Sequence, residues 1–264
     1  MHGEVVATEA LTPHLIRVVL GGPGLDGFAA PGGADSYVNG FFLPPEAGYT
    51  APFDDAAVRE LPWEQRPFPR RITVRAWDPV ARQLTLDIVT HGDVGYAGRW
   101  ALHARPGDTL QFRGPAGDWS PAPAADWHLL VGDASALPAI AGAAERVAAG
   151  VPVVAVIEVA GAEEELKLDS PGDLSVTWVH TGTPYDAEQL ARTVADLSLP
   201  VGRCSAFVHG EAEATRAVRR HLLSTGVVSR EDLSCSPYWR HPDTDEQWRA
   251  AKAAWTRDME TDVP

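Results

Sequence analysis

The pattern of this chain changes at Pro121-Ala122-Pro123-Ala124-Ala125-Asp126, and that change limits the folds open to it. Before this stretch, short apolar runs are separated by glycine and proline turns. Residues 4–7 and 15–20 flank a turn at Thr12-Pro13, and Gly21-Gly22-Pro23-Gly24 closes the second run. Residues 37–43, 72–77, 84–89 and 111–113 continue the series. Many short strands with such turns fit a small antiparallel barrel. After the stretch, strands and helices alternate. Residues 127–131 read as a strand, Gly132-Asp133 turns into a helix reaching about Ala149, and residues 151–159 and 174–179 are further strands. A helix over 187–197, a strand over 205–208 and a helix over 211–224, stopped by Gly226, complete the series. That alternation builds a parallel sheet.

The expected architecture is therefore β plus α/β. An antiparallel β-barrel spans residues 1–120, and a parallel-sheet, nucleotide-binding-like α/β domain with a C-terminal helix spans residues 126–264. A length of 264 residues suits two domains. Residues 44–69 are rich in proline and read as a long surface loop. Thr244-Asp245-Glu246-Gln247 fits a capping box, and Trp248, Ala251 and Trp255 then share one helix face that would dock on the body.

Charge narrows the partners. The net charge is −14, which argues against nucleic acid and against an anionic membrane surface. No run approaches the roughly 18 apolar residues of a membrane span, and no secretory leader is visible. Two cysteines, Cys204 and Cys235, cannot build a disulfide framework, so reduced thiols in a cytoplasmic protein are expected. The expected partner is a small molecule, and the expected state a monomer.

Two segments in the first half could carry chemistry. In Arg70-Arg71-Ile72-Thr73-Val74-Arg75, strand alternation puts Arg71, Thr73 and Arg75 on one face and Arg70, Ile72 and Val74 on the other. Arginine suits phosphate because its planar fork makes paired, charge-assisted bonds. His91-Gly92-Asp93-Val94-Gly95-Tyr96-Ala97-Gly98-Arg99-Trp100 reads as a glycine-rich turn opening a helix near Ala97. Gly92, Gly95 and Gly98 would admit close approach of a ligand, and the free N–H groups would favour an anion. Together the segments suit a dinucleotide pyrophosphate with a ring system beside it, which points to a flavin. In the second half, residues 131–139 form a strand–turn–helix in which Ser135 can cap the helix and Pro138 is tolerated in its first turn. This is not a G-x-G-x-x-G fingerprint. No G-x-S-x-G and no CxxC or H-E-x-x-H spacing occurs, so neither a nucleophile elbow nor a metal site is expected. Glu158, near the end of the second strand of this half, is placed to contact a ribose hydroxyl.

Taken in order, these segments resemble the siderophore-interacting protein family, FAD-dependent ferric-siderophore reductases of the ferredoxin–NADP reductase-like superfamily. The family's R-x-Y-T-x-R strand corresponds to residues 70–75, and its H-G-x-x-G-P-A-S-x-W-A turn to residues 91–101. P-G-D corresponds to Pro106-Gly107-Asp108, G-P-x-G to residues 114–117, and G-D-E-T-A-L-P-A-I to residues 132–140. A-G-E with its Arg-rich helix corresponds to residues 209–221, and G-Y-W-R to Pro237-Tyr238-Trp239-Arg240. The family's late helix with an E-x-W-like element corresponds to Glu246-Gln247-Trp248.

The resemblance implies that Arg70 holds the FAD pyrophosphate, position 72 lies against the isoalloxazine ring, and Thr73 hydrogen-bonds near its reactive nitrogen. It implies that Ala97, Gly98 and the following N–H groups take the pyrophosphate. Val89, His91, Gly92 and Trp100 are expected beside the cofactor, with Asp133 and Ser135 near it. Tyr238 and Trp239 would cover the flavin, and Arg240 would face an anionic ferric chelate. Electrons would pass from NADH or NADPH through FAD to a ferric siderophore, releasing Fe(II). The acidic run Glu163-Glu164-Glu165 would repel a 2′-phosphate, which favours NADH.

Several positions depart from the family pattern. Ile72 stands for the usual tyrosine, Tyr96 and Gly98 for proline and serine, Asn39 for a lysine, Pro237 for a glycine and His209 for an alanine. These changes also suit a divergent paralogue that keeps the fold and acts without redox chemistry, as a binding protein or a biosynthetic enzyme on a small molecule.

Overall fold

A computed structural model describes residues 1–263. The chain forms two units, Met1–Trp119 and a second beginning at Ser120.

The first unit is a closed six-stranded barrel. Its strands are β1 (His2–Thr12), β2 (Leu15–Gly21), β3 (Tyr37–Phe42), β4 (Phe68–Asp78), β5 (Gln83–Val89) and β6 (Thr109–Ala116), in the spatial order β1-β2-β5-β4-β3-β6. Pairing of β1 with β6, His2 opposite Gln111, closes the ring and removes the sheet edges. Alternation drives the packing. Ile72 and Val74 of β4 point inward with Val38, Leu86 and Phe112, while Arg71 faces out. A register shift between Val74 and Ala76 breaks that alternation. Beyond it Trp77 is the partly buried residue, and its ring packs 4.8 Å from Phe28.

The expected loop over 44–69 is not wholly irregular. It holds α1 (Asp55–Arg59), capped by Asp54, and a single 3-10 turn at Trp63–Gln65, and β4 already begins at Phe68. Asp55 anchors this segment through Arg113 and Gln111 of β6. A second short helix, α2 (Ala97–His103), follows the glycine turn.

The second unit is a five-stranded parallel sheet in the order β11-β10-β7-β8-β9. Its elements are β7 (Trp127–Asp133), α3 (Leu137–Ala144), β8 (Pro152–Val159), β9 (Asp173–His180), α4 (Gln189–Asp196), β10 (Cys204–Glu211), α5 (Ala212–Ser224), β11 (Leu233–Trp239) and α6 (Asp245–Glu260). Every residue of β7 and β10 is buried, as expected for central strands covered on both faces. Three expectations are corrected. The helix after Asp133 ends at Ala144 instead of Ala149. The strand expected over 205–208 runs on to Glu211. Residues 233–239, of which only 237–239 are read from the sequence and then only as part of a motif, form an edge strand, where Pro237 costs little.

Thr244 and Gln247 form the expected capping box of α6, and Trp248, Trp255 and Met259 bury that helix against Ala212 and Cys235. Cys204 and Cys235 are free thiols, and burial pushes both pKa values up to about 12. No helix among the described residues is long and apolar enough to cross a membrane.

Candidate functional site

In the barrel, β4 and β5 run antiparallel with Val74 opposite Leu86, so the start of β4 and the end of β5 lie at one end. There the two segments singled out in the sequence meet. Tyr96 lies flat on Phe68, with ring centroids 3.7 Å apart and planes 10° from parallel. The Arg70 guanidinium carbon stands 5.5 Å from the centre of the same tyrosine ring. A ring stack contributes about 0.5–1.5 kcal/mol and a cation–π contact about 0.5–1 kcal/mol, enough to orient both partners.

Arg70 Nη1 also donates to Pro69 O at 3.1 Å, and the other arginines of the strand are engaged as well. Arg71 lies over Tyr37, 5.4 Å from its ring centre. Arg75 stands 3.9 Å from the buried Asp87 carboxylate, which Arg17 grips through Nε and Nη2, each at 2.8 Å. Thr73 is half-buried opposite Tyr37. Ile72 is 6% exposed and belongs to the barrel interior. Val89, also half-buried, closes β5.

In the turn, His91 and Gly92 are exposed. Gly92 and Gly95 have φ of 75° and 70°, a left-handed backbone that favours glycine, with open space where a Cβ would stand. Gly98 differs, because packing also requires a glycine there. A Cβ there would lie 3.0 Å from Thr90 Cα and 3.1 Å from the Val89 carbonyl oxygen, so its glycine lets α2 approach β5. Ala97 opens α2, and Trp100 packs edge-on to Phe42 against the barrel core at 5.6 Å.

One residue escaped the sequence reading. The Thr90 hydroxyl is buried and makes no hydrogen bond with any described residue, although the Thr90 N–H donates to His14 O at 2.8 Å. An orphaned buried hydroxyl is uncommon and needs a partner. The only signal for it in the sequence was a hydroxyl residue directly before His91-Gly92.

In the second unit, the chain leaves β7 toward β8 and returns on the other side in β10, so the winding reverses between β7 and β10. In open α/β sheets ligands gather beyond the carboxyl ends at such a point. Asp133 ends β7 there. Its carboxylate accepts hydrogen bonds from Ser135 N (2.8 Å), Ser135 Oγ (2.5 Å), Glu211 N (2.7 Å) and Trp239 Nε1 (2.8 Å). Ser135 therefore serves Asp133 and does not cap α3, whose N-cap is Ala136. Glu211 caps α5 by accepting from Ala214 N (2.8 Å), and it also accepts from Tyr185 Oη and His241 N, both at 3.1 Å. Gly132 is required by contact, since a Cβ would stand 2.4 Å from His209 O.

Glu158 ends β8, is 5% exposed, and accepts from Thr181 Oγ1 at 2.9 Å. Burial raises its pKa, the Thr181 bond opposes this, and Asp133, Glu211 and Asp186 push it further up. Burial, with Glu211 next, also pushes the Tyr185 hydroxyl far above its ordinary range. His209 stacks on Phe207 at 3.7 Å, with Nδ1 3.0 Å from Tyr238 Oη and Nε2 2.9 Å from Ser234 Oγ. Burial pushes its pKa down to about 3, so the ring is neutral. The Arg240 guanidinium lies 3.0 Å from Glu213 and 3.7 Å from Asp243, and its charge is balanced there. Asp133, Ser135 and Trp239 thus form one network, with Tyr238 tied to His209 and Arg240 to α5.

Comparison with known proteins agrees with this architecture. Residues 4–119 match the siderophore-interacting FAD-binding domain, and residues 125–242 match the siderophore-interacting protein domain. An uncharacterized protein of Mycobacterium tuberculosis is 39% identical, over 94% of this chain and 93% of that protein. Ferric vibriobactin reductase ViuB of Vibrio cholerae is 30% identical, over 93% of this chain and 91% of that protein. The crystal structure of a siderophore utilization protein from T. fusca superposes with a TM-score of 0.80 at 34% identity, covering 93% of this chain and 94% of that one. With both units matched in order and full-length relatives at this identity, the chain belongs to the siderophore-interacting protein family.

Proposed function

We propose that this chain is a flavin-dependent reductase that passes electrons from a reduced nicotinamide nucleotide through FAD to a ferric siderophore, releasing iron as Fe(II). The observation that carries the reading is the contact of Tyr96 with both Phe68 and Arg70, which brings the arginine strand and the glycine turn to one end of the barrel. Family membership and the similarity to a ferric vibriobactin reductase support it.

The residues present fit the cofactor. Arg70, oriented by Tyr96, offers a charged fork for a pyrophosphate. The Thr90 hydroxyl, buried without a partner, offers a hydrogen bond that the described residues leave unused. The left-handed backbone at Gly92 and Gly95 keeps the turn open, with no side chain over it at those positions. Thr73 is the candidate for hydrogen bonding to the ring. FAD, when bound, converts a two-electron hydride supply into the single-electron steps that iron requires. The substrate iron is released because hard oxygen ligands hold Fe(II) less tightly than Fe(III).

The test is an absorption spectrum of the purified protein, with FAD added in excess if needed, followed by anaerobic NADH or NADPH and then a ferric siderophore with an Fe(II)-trapping dye. The expected result is a flavin band that bleaches with the nucleotide and recovers as the dye reports Fe(II). A protein that takes up no FAD supports the non-redox alternative and sinks the proposal.

A further inference from the structure

Glu158 stands at the carboxyl end of β8, the strand that follows β7 in the chain and lies beside it in the sheet. Thr181 Oγ1 engages its Oε1 at 2.9 Å, and the other oxygen, Oε2, accepts from no described residue. A carboxylate that is 5% exposed is costly to keep, and a neutral residue of similar size would hold the strand at lower cost. Its position has a general meaning in sheets of this kind. When a dinucleotide binds beyond the carboxyl ends, an acidic residue at the end of the second strand receives the ribose hydroxyls of the adenosine half.

The surroundings sharpen the choice of ligand. The charged groups that act on Glu158 are Asp133, Glu211 and Asp186, all acidic, of which Asp186 is paired with Arg192. The turn that follows β8 adds Glu163, the buried Glu164 and Glu165. The one lysine just beyond them, Lys167, is paired with Asp169 at 3.3 Å. At the point where the winding reverses, carboxylates rather than bound anions take the nearest donors. Its N–H groups at Ser135, Glu211 and Ala214 already donate to Asp133 and Glu211. An edge built this way welcomes hydroxyl donors and repels a doubly charged phosphate monoester.

We propose that Glu158 is the residue that sets the choice of donor nucleotide: its free carboxylate oxygen receives the ribose hydroxyls of the adenosine half and selects NADH over NADPH. Thr181 is a positioning residue that fixes the carboxylate in the receiving orientation. The inference rests on the proposed reading that a nicotinamide nucleotide supplies the electrons.

The experiment uses the full chain loaded with FAD. Anaerobic flavin bleaching is measured with NADH and NADPH for the wild type, Glu158→Gln and Thr181→Val. In parallel, calorimetry measures the binding of ADP-ribose and 2′-phospho-ADP-ribose, which needs no electron transfer. The wild type is expected to favour NADH by about tenfold or more in kcat/KM, the size of one lost hydrogen bond to a charged group. Glu158→Gln keeps the shape of the side chain and removes its charge. It is expected to bring the NADH/NADPH ratio close to one, with Thr181→Val shifting it the same way by less. The fragment affinities should follow the same order. Equal use of the two nucleotides by the wild type, or a ratio that Glu158→Gln does not move, overturns the proposal and leaves the reductase reading standing. A flavin that dithionite reduces while neither nucleotide does, together with no binding of either fragment, overturns both.

Discussion

The backbone N–H of Glu211 donates to Asp133 Oδ2 at 2.7 Å, joining the ends of the two strands between which the sheet reverses its winding. The indole N–H of Trp239 donates to the same oxygen at 2.8 Å. Asp133→Ala leaves both donors without a partner, and each lost charge-assisted bond costs about 1.5–3 kcal/mol. A loss of roughly 3–6 kcal/mol in stability is expected, with Asp133→Asn losing about half of that. Thermal denaturation followed by tryptophan fluorescence checks it. A variant that melts with the wild type would mean the network carries no net energy.

Tyr96 unites the two segments of the barrel site. Tyr96→Ala removes the Phe68 stack and the Arg70 contact together and is expected to cost roughly 1–2 kcal/mol. Tyr96→Phe keeps both and should behave as the wild type. On the proposed function, FAD affinity follows the same order, and fluorescence quenching of FAD on titration measures it.

Thr90 gives a test with opposite signs. Thr90→Val removes a buried hydroxyl that has no partner among the described residues. The FAD-free protein should therefore gain about 1 kcal/mol. If the hydroxyl serves the cofactor, FAD should bind more weakly to the same variant. Melting temperatures with and without FAD read both effects, and a variant whose FAD affinity matches the wild type removes Thr90 from the site.

His209 predicts a dependence on pH. Its folded pKa lies near 3, below the ordinary 6.5, because burial disfavours the charged ring. The unfolded chain therefore takes up the proton first as pH falls. The stability that the neutral ring contributes is present above about pH 6.5 and is lost toward pH 3. Between pH 7 and pH 5 this amounts to about 2 kcal/mol. His128, also pushed down by burial, acts in the same direction, and Glu158, pushed up, acts against both at lower pH. His209→Gln should flatten the melting temperature between pH 7 and pH 5. An unchanged slope would place the protonation elsewhere.

Much of the architecture was legible in the sequence, because local patterns carry it. Period-two runs with glycine and proline turns gave the barrel strands, and alternating strand and helix patterns gave the parallel sheet. Thr244 and Gln247, three residues apart, announced the cap of α6. The edge strand β11 was missed because its alternation, Leu233-Ser234-Cys235-Ser236, is short and runs into Pro237, a residue that argues against a strand. Its pairing comes from β10 and not from its own sequence.

The sequence by itself determined which residues alternate inward, where helices start, and that the arginine strand and the glycine turn belong to one family pattern. Only the tertiary structure decided what those residues touch. It placed Ile72 inside the barrel, set Tyr96 between Phe68 and Arg70, gave Ser135 to Asp133, and left a Thr90 hydroxyl and a Glu158 oxygen unpaired. Periodicity reports the face a side chain occupies, and that is a local property. Hydrogen-bond satisfaction and close packing depend on chain segments tens of residues apart, and they exist only once the strands have closed.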